Sequence, residues 1–174
     1  SQLINDIRAL FTRADKRQDP IDVNEMAFQA LQILREQLNA HGVRTDLELA
    51  NDLPLVMGHK GQLQEVMINL VQNAIDAMND TKDGRRALRL RTERQGDNAI
   101  VVGIRDSGPG IDPAKLNSVF EAFFTTKSYG TGLGLAICRM IIERHGGQLS
   151  ASSDGRNGAL FEFVLPARSA TVGK

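Results

Sequence analysis

The chain has 174 residues, enough for one substantial hydrophobic core and a short appendage. Hydrophobic residues make up 41% and charged residues 24%, as in a soluble globular domain. Lysine plus arginine and aspartate plus glutamate both number 21, so the net charge favours neither a nucleic-acid partner nor an anionic membrane surface. The single cysteine, Cys138, excludes an internal disulfide and fits a reducing compartment.

The N-terminal part predicts two helices and a strand. Apolar residues at helical spacing indicate a short helix over 1–17, which Pro20 ends because the residue before proline is disfavoured in a helix. The chain starts with neither an initiator Met nor a signal peptide, so we expect it to be part of a longer protein. A second helix is predicted from Asp22 to Gly42, followed by a strand over 43–49. The predicted buried stripe of this helix is Met26, Ala30, Leu34 and Leu38.

The remainder alternates between helices and strands. We predict helices over 60–79 and 132–145, a hairpin of strands 86–94 and 98–105, a short helix near Pro113–Val119, and strands 148–153 and 158–165. This order predicts an α+β fold, a two-layer α/β sandwich with helices on one face of a mixed, mostly antiparallel sheet.

A polar stripe interrupts the apolar helix 60–79. Asn69, Asn73 and Asp76 lie at i, i+4 and i+7, so they share one face. Amide and carboxylate oxygens suit Mg²⁺, a cation usually shared with substrate phosphates. Taken alone, the stripe is equally consistent with a solvated helix face.

A carboxylate and two glycines follow the strand at 100–104. Asp106 opens a turn that continues through Gly108, Gly110 and Ile111. A carboxylate there can accept a hydrogen bond from an exocyclic amine such as that of adenine, and glycines leave room for a flat ring. An ordinary Asx turn is the alternative interpretation.

A glycine-rich segment runs directly into the helix predicted over 132–145. Its residues are Gly130, Thr131, Gly132, Leu133 and Gly134. Backbone N–H groups at a helix start, backed by the helix dipole, favour phosphate. The alternative is a glycine hinge.

The segment between the turn at Asp106 and the glycine-rich segment combines apolar and polar residues. Phe120, Phe123 and Phe124 precede Thr126 and Lys127. Apolar anchors beside a polar, glycine-ended segment are typical of a mobile lid, and a lysine there could reach a phosphate. The alternative interpretation places the phenylalanines in the core and the lysine on the surface. For the phenylalanines the two interpretations are compatible, because side chains packed in the core could also anchor the lid.

Other nucleotide and metal signatures fail on spacing. There is no P-loop, and the Gly-x-Gly-x-x-Gly pattern is broken at Pro113 and at Leu135. His41, His59 and His145 are scattered and lack metal-ligand spacing, so we interpret them as structural.

Taken together in chain order, the four elements resemble the N, G1, F and G2 boxes of the catalytic ATP-binding domain of bacterial sensor histidine kinases. That domain has the Bergerat-type ATP-binding fold, with a mobile ATP lid, shared with gyrase B, Hsp90 and MutL. The resemblance covers about residues 22–166, and its motif spellings look most like those of nitrogen, oxygen and dicarboxylate sensors. It implies three parts: the end of a dimerisation and phosphoacceptor helix with a linker (1–19), the ATP-binding domain (20–166) and a disordered tail (167–174).

The resemblance also implies roles for individual residues. Asn73, with Asn69, would coordinate Mg²⁺, Asp106 would recognise the adenine amine, and Asn73 and Lys127 would serve catalysis. The full set implied to bind ATP is Asn69, Asn73, Asp76, Asp106, Gly108, Gly110, Ile111, Phe120, Phe123, Thr126, Lys127, Gly130, Thr131, Gly132, Leu133 and Gly134.

Two departures shape the functional expectation. The family's phosphoacceptor motif, a His followed by Glu, is absent, so the acceptor histidine is expected outside this chain and the fragment should not phosphorylate itself. Hydrolytic relatives place a glutamate four residues before the metal asparagine, where this chain has Asn69, which cannot act as a general base. Transfer to a protein histidine is therefore favoured over two alternatives, a hydrolytic or conformational ATPase and a nucleotide-binding module without kinase activity.

The implied partners are the phosphoacceptor and dimerisation domain of the same full-length protein and the receiver domain of a response regulator. We expect a homodimeric full-length protein, no nucleic-acid partner and a cytoplasmic location for this domain, whether or not the full-length protein is anchored in the inner membrane.

Overall fold

The computed structural model describes residues 18–79, 81, 84–122, 124 and 134–167. The predicted helix over 1–17 lies outside these residues, and the division of the chain into three parts stays a prediction. The elements in chain order are β1 (Asp19–Ile21), α1 (Val23–Ile33), α2 (Arg35–Ala40), β2 (Val43–Glu48), β3 (Val56–Gly58), α3 (Lys60–Met78), β4 (Arg86–Gln95), β5 (Ala99–Asp106), a short 3-10 helix (Pro113–Lys115), α4 (Gly134–Arg144), β6 (Gln148–Ser152) and β7 (Leu160–Pro166).

The main sheet has the strand order β2-β4-β5-β7-β6. β2 runs parallel to β4, and the other neighbouring pairs are antiparallel. On β4 the side chains of Leu88, Leu90 and Thr92 are buried whereas Arg89 and Arg91 are exposed, so one face of the sheet meets the core and the other meets solvent. The predicted α+β sandwich with a mixed, mostly antiparallel sheet is confirmed.

Helix α3 is the centre of the core. Its buried side chains recur every three to four residues and include Leu63, Val66, Leu70, Ala74 and Met78. It contacts α1, α4 and β5. Both β5, which ends at Asp106, and α4, which begins at Gly134, therefore pack on this one helix.

Two short features were not anticipated from the sequence. β1 and β3 form a small antiparallel sheet in which Asp19 pairs with Gly58, and strands of three residues are too short to show an alternating pattern. The predicted single helix from Asp22 to Gly42 is interrupted at Leu34, whose angles φ −98° and ψ 10° leave the helical region. The four residues of its predicted stripe are nevertheless all buried.

The N-terminal cap of α1 is as predicted, since the Asp22 side chain accepts a hydrogen bond from the Glu25 backbone amide at 3.2 Å. Within the described residues, none of the helices combines the length and the apolar character that a membrane crossing requires.

Candidate functional site

The polar stripe of α3 forms one wall of the candidate site. Asn69, Asn73 and Asp76 are all half-buried on this helix. Asp76 accepts a hydrogen bond from Gln72 Nε2 at 3.0 Å on its Oδ1 atom, whereas the described part of the chain offers no hydrogen-bond partner to the Asn73 carboxamide. The amide oxygen of Asn73 is therefore available to a ligand.

Asn69 faces the neighbouring helix. It lies beside Cys138 on α4, which is 0% exposed. Burial raises the pKa of Cys138 to about 12, with a smaller contribution in the same direction from the Glu65 charge and an opposing one from the Asn69 side chain. Cys138 is therefore a core residue that packs beside Asn69.

Asp106 ends β5 and is only 3% exposed. Its Oδ1 accepts a hydrogen bond from the Gly108 backbone amide at 2.9 Å. Desolvation raises the pKa of Asp106, against backbone hydrogen bonds to Gly108 and Ala159 and the charge of Arg105, which lower it. A buried carboxylate that costs solvation energy is the kind of group expected at a recognition site rather than in a merely structural turn.

Gly108 brings this turn against α3. A Cβ on Gly108 would lie 3.0 Å from the carbonyl oxygen of Ala77, closer than an ordinary van der Waals contact. The backbone of the Asp106 turn and the backbone of the helix that bears Asn73 and Asp76 therefore pack closely, and a side chain at position 108 would crowd this contact.

Gly110 and Ile111 pack on the other side, against the β6–β7 loop. Gly110 has φ +86°, and a Cβ there would lie 2.8 Å from Ser153 Oγ and 3.0 Å from the Arg156 amide nitrogen. The Ile111 amide donates to Ser153 Oγ at 2.9 Å. The glycines predicted to line the turn are thus needed for close backbone packing on both sides of it.

Phe120 is an anchor in the core. Its ring packs edge-on against Phe161 of β7, with centroids 6.0 Å apart, and the Arg139 guanidinium of α4 lies 5.5 Å from its centroid. The interpretation of the phenylalanine as a core anchor is confirmed for Phe120.

Most of the predicted lid and phosphate segment lies outside the described residues. This applies to Phe123, Thr126, Lys127, Gly130, Thr131, Gly132 and Leu133, whose roles stay predictions. Gly134 is the first residue of α4, so the glycine-rich segment leads directly into this helix as predicted.

The donor set fits a cation shared with phosphates rather than a protein-only metal site. No group of three or more His, Cys, Asp or Glu side chains that could hold a metal occurs in the ranges that the structure describes. An amide oxygen such as that of Asn73 can supply one ligand to Mg²⁺, leaving other positions to waters and phosphate oxygens. The residues present are compatible with ATP and Mg²⁺.

A cleft of about 430 Å³ lies elsewhere, on the solvent face of the sheet, and does not belong to this site. Its rim includes the ion pairs of Arg89 with Glu48 at 3.6 Å and of Arg91 with Glu93 at 3.4 Å. Exposed ion pairs of this kind are typical of a solvated sheet face.

Sequence reasoning missed the roles of Ser153 and Gly158, which it placed only at the facing ends of the strands predicted over 148–153 and 158–165. A Cβ on Gly158, which has φ +82°, would overlap the carbonyl oxygen of Asp106. The glycines of the loop were a visible signal of close backbone approach, but the partner segment lies about fifty residues earlier in the chain and cannot be read from local spacing.

Comparison with known proteins agrees with this geometry. Residues 58–169 match the family described as "Histidine kinase-, DNA gyrase B-, and HSP90-like ATPase". The sensor protein TdiS of Thauera aromatica is 34% identical over 166 residues, which cover 95% of this chain and 30% of TdiS. The chain therefore spans less than a third of the length of that relative.

Solved structures of kinase domains share the fold. The catalytic domain of histidine kinase ThkA superposes with a TM-score of 0.77 at 31% identity, covering 87% of this chain and 99% of that one. ThkA in complex with the response regulator protein TrrA gives a TM-score of 0.73 at 27% identity, covering 98% and 49% of the two chains. The chain belongs to the family of histidine kinase-, DNA gyrase B- and HSP90-like ATPases, as the ATP-binding catalytic domain of a sensor histidine kinase.

Proposed function

We propose that this chain binds ATP with Mg²⁺ and transfers the γ-phosphoryl group to a histidine on a phosphoacceptor domain outside the chain, for relay to a response regulator. One observation carries the proposal: Gly108, in the turn of the buried Asp106 carboxylate, packs backbone to backbone on Ala77 of the helix that bears Asn73. A carboxylate suited to adenine and an amide suited to the cation of the triphosphate thus belong to one packed unit.

The chemistry asks for positioning and charge neutralisation rather than a strong base. Phosphoryl transfer is promoted mainly by holding the phosphates and compensating their charge. Asn73 would hold Mg²⁺ with support from Asn69, Asp106 would hold the purine, and the amides of the glycine-rich segment with Lys127 would contact the phosphates. Bound Mg²⁺ would supply charge neutralisation at the phosphates. Neutral imidazole is already a nucleophile, so this domain need not activate it.

Transfer is favoured over hydrolysis by the identity of residue 69. A hydrolytic enzyme needs a base to activate water, and Asn69 is an amide, which cannot act as one. Glu65 on the same helix is exposed, one turn further from Asn73. The proposal therefore gives the isolated chain no efficient route to free phosphate.

The wider assembly is part of the proposal. ThkA has been solved in complex with a response regulator, which supports a receiver domain as the downstream partner here. We infer a homodimeric full-length protein with its acceptor histidine on the dimerisation domain, no nucleic-acid partner, and a cytoplasmic position of this domain.

The proposal is tested with γ-labelled ATP, using this chain alone and mixed with the separately purified phosphoacceptor domain of the full-length protein. We expect acid-labile label on the acceptor domain only, and Asn73→Ala to lower its rate by at least about a hundredfold because metal-assisted charge neutralisation is worth several kcal/mol. Stoichiometric label on the isolated chain, or rapid phosphate release without an acceptor, would contradict the proposal.

A further inference from the structure

The Ser153 hydroxyl, just beyond β6, makes every hydrogen bond that a hydroxyl can make. It accepts from the Ile111 amide at 2.9 Å and from the Gly155 amide at 3.1 Å, and it donates to the Gly158 carbonyl oxygen at 2.7 Å. One donor and two acceptor sites are the full capacity of a hydroxyl group. A half-buried serine on a surface loop is therefore the centre of a saturated network.

The first arm of this network reaches the turn that follows Asp106. Ile111 is the residue whose amide is held, and Gly110 before it has a φ of +86°. A Cβ on Gly110 would lie 2.8 Å from Ser153 Oγ, so the turn is pressed directly onto the hydroxyl. Ser153 thus fixes where the turn leaves the sheet.

The second arm reaches Asp106 itself through Gly158. A Cβ on Gly158 would overlap the Asp106 carbonyl oxygen, and the adjacent Ala159 carbonyl accepts the Asp106 backbone amide at 3.0 Å. Ser153 therefore contacts, through Ile111 on one side and Gly158 on the other, both ends of the segment that aims the buried carboxylate.

The loop that carries Ser153 is independently stiffened. The Asp154 carboxylate accepts from the backbone amides of Arg156 and Asn157, both at 2.8 Å, and from Asn157 Nδ2 at 2.7 Å. These bonds lower the pKa of Asp154 to about 2, so the brace persists at any physiological pH. A rigid loop can transmit the position of Ser153 to the turn, whereas a loose one could not.

We propose that Ser153 is a positioning residue for base selectivity: it does not touch the nucleotide, but it sets the orientation of Asp106 toward the amine of adenine. The inference rests on the proposed ATP-binding function and assigns to the β6–β7 loop a part in choosing the base. Base selectivity depends on the alignment of a buried polar group with its partner on the base. A small displacement of Asp106 should therefore lower the preference for adenine more than it lowers the overall affinity for nucleotides.

The test compares ATP with inosine triphosphate, which has a carbonyl where adenine has the amine. Affinities of both are measured by titration in Mg²⁺ for the wild-type chain and for Ser153→Ala. We expect the wild type to prefer ATP, and Ser153→Ala to lower the ratio of affinities about fivefold to twentyfold, since the amide of Ile111 loses its acceptor. The neighbouring exposed Ser152→Ala is the matched control and should leave the ratio unchanged.

Asp106→Asn separates this inference from the proposed function. Asp106→Asn alone should remove the preference for ATP, and adding Ser153→Ala to it should lower the ratio no further, because both act on one interaction. If Ser153→Ala weakens ATP and inosine triphosphate equally, Ser153 is merely structural and the inference is wrong while the function stands. If the wild type shows no preference for ATP over inosine triphosphate, or if Asp106→Asn keeps that preference, both this inference and the proposed function are wrong.

A second variant covers failure of Ser153→Ala to fold. Ser153→Cys has nearly the same shape with weaker hydrogen bonding, so it should fold and lower the ratio by about threefold. An unchanged ratio in a folded Ser153→Cys variant would overturn the inference.

Discussion

At the scale of single residues, Asp106 shows a conflict between stability and recognition. The carboxyl group is 3% exposed, and burial raises its pKa. A carboxyl group whose folded pKa lies above its unfolded value destabilises the fold progressively as pH rises through that interval, and the cost is fully present above the folded pKa. Residues that disfavour folding yet occupy a defined position are characteristic of functional sites.

Asp106→Asn should therefore separate the two properties. The amide does not ionise and so removes the cost of burying an ionisable group. We therefore expect a higher midpoint of thermal unfolding than the wild type at pH 7, with the difference shrinking as pH falls toward 4. Adenine affinity should drop about tenfold to hundredfold, as for loss of a hydrogen bond to a charged group. Calorimetry and ATP titration on the same preparations measure both. A variant that is destabilised at pH 7 would contradict this account of the carboxylate.

At the scale of elements, His145 joins the end of α4 to the start of α3. Its Nε2 accepts the His59 backbone amide at 3.1 Å, and its Nδ1 lies 2.7 Å from the Ile141 carbonyl oxygen. A ring that accepts at one nitrogen and faces a carbonyl with the other must be neutral, with its proton on Nδ1. Both helices that carry site residues are held together by this neutral ring.

The junction should weaken in acid. Burial lowers the pKa of His145, with the charges of His59 and Arg144 acting the same way and the Ile141 bond opposing them. A folded pKa below the unfolded value means that this stabilisation is complete above the unfolded value of 6.5 and declines as pH falls below it. Protonation would also remove the acceptor for the His59 amide.

His145→Gln should thus lower the unfolding free energy by about 1–2 kcal/mol at pH 7.5, as expected for lost hydrogen bonds. Its unfolding midpoint should fall less than that of the wild type between pH 7.5 and 5.5, because the glutamine does not titrate. His41→Gln, at the end of α2, is the matched control and should follow the wild type. If the unfolding midpoints of His145→Gln and the wild type fall equally in acid, protonation of the His145 ring does not cause the loss of stability.

The elements also show why some features could be predicted and others could not. Helix α3 and the β4–β5 hairpin are long and periodic, so their local patterns sufficed. The interruption at Leu34 and the small β1–β3 sheet depend on tertiary contacts that leave no pattern in so few residues. The same holds for Ser153, whose bond to Ile111 joins residues 42 positions apart.

At the scale of the whole molecule, one helix organises both layers. α3 contacts α1, α4 and β5, and it presents Asn73 on one side while its Ala77 backbone receives the turn of Gly108. The candidate site residues and their predicted roles could be assigned from the sequence, because each motif that carries the family resemblance is local. The proximity of these motifs in space depends on how the turn after β5 packs on α3. This packing is a tertiary contact that no local sequence pattern contains.

The central claim is that Asp106 and Asn73 serve one nucleotide, the first through its base and the second through its cation. The most direct measurement is ATP titration with and without Mg²⁺ for the wild type, Asp106→Asn and Asn73→Ala. We predict that Mg²⁺ strengthens ATP binding to the wild type and to Asp106→Asn but has little effect on Asn73→Ala. Binding by Asn73→Ala that keeps the full Mg²⁺ dependence, or wild-type binding indifferent to Mg²⁺, would contradict the claim.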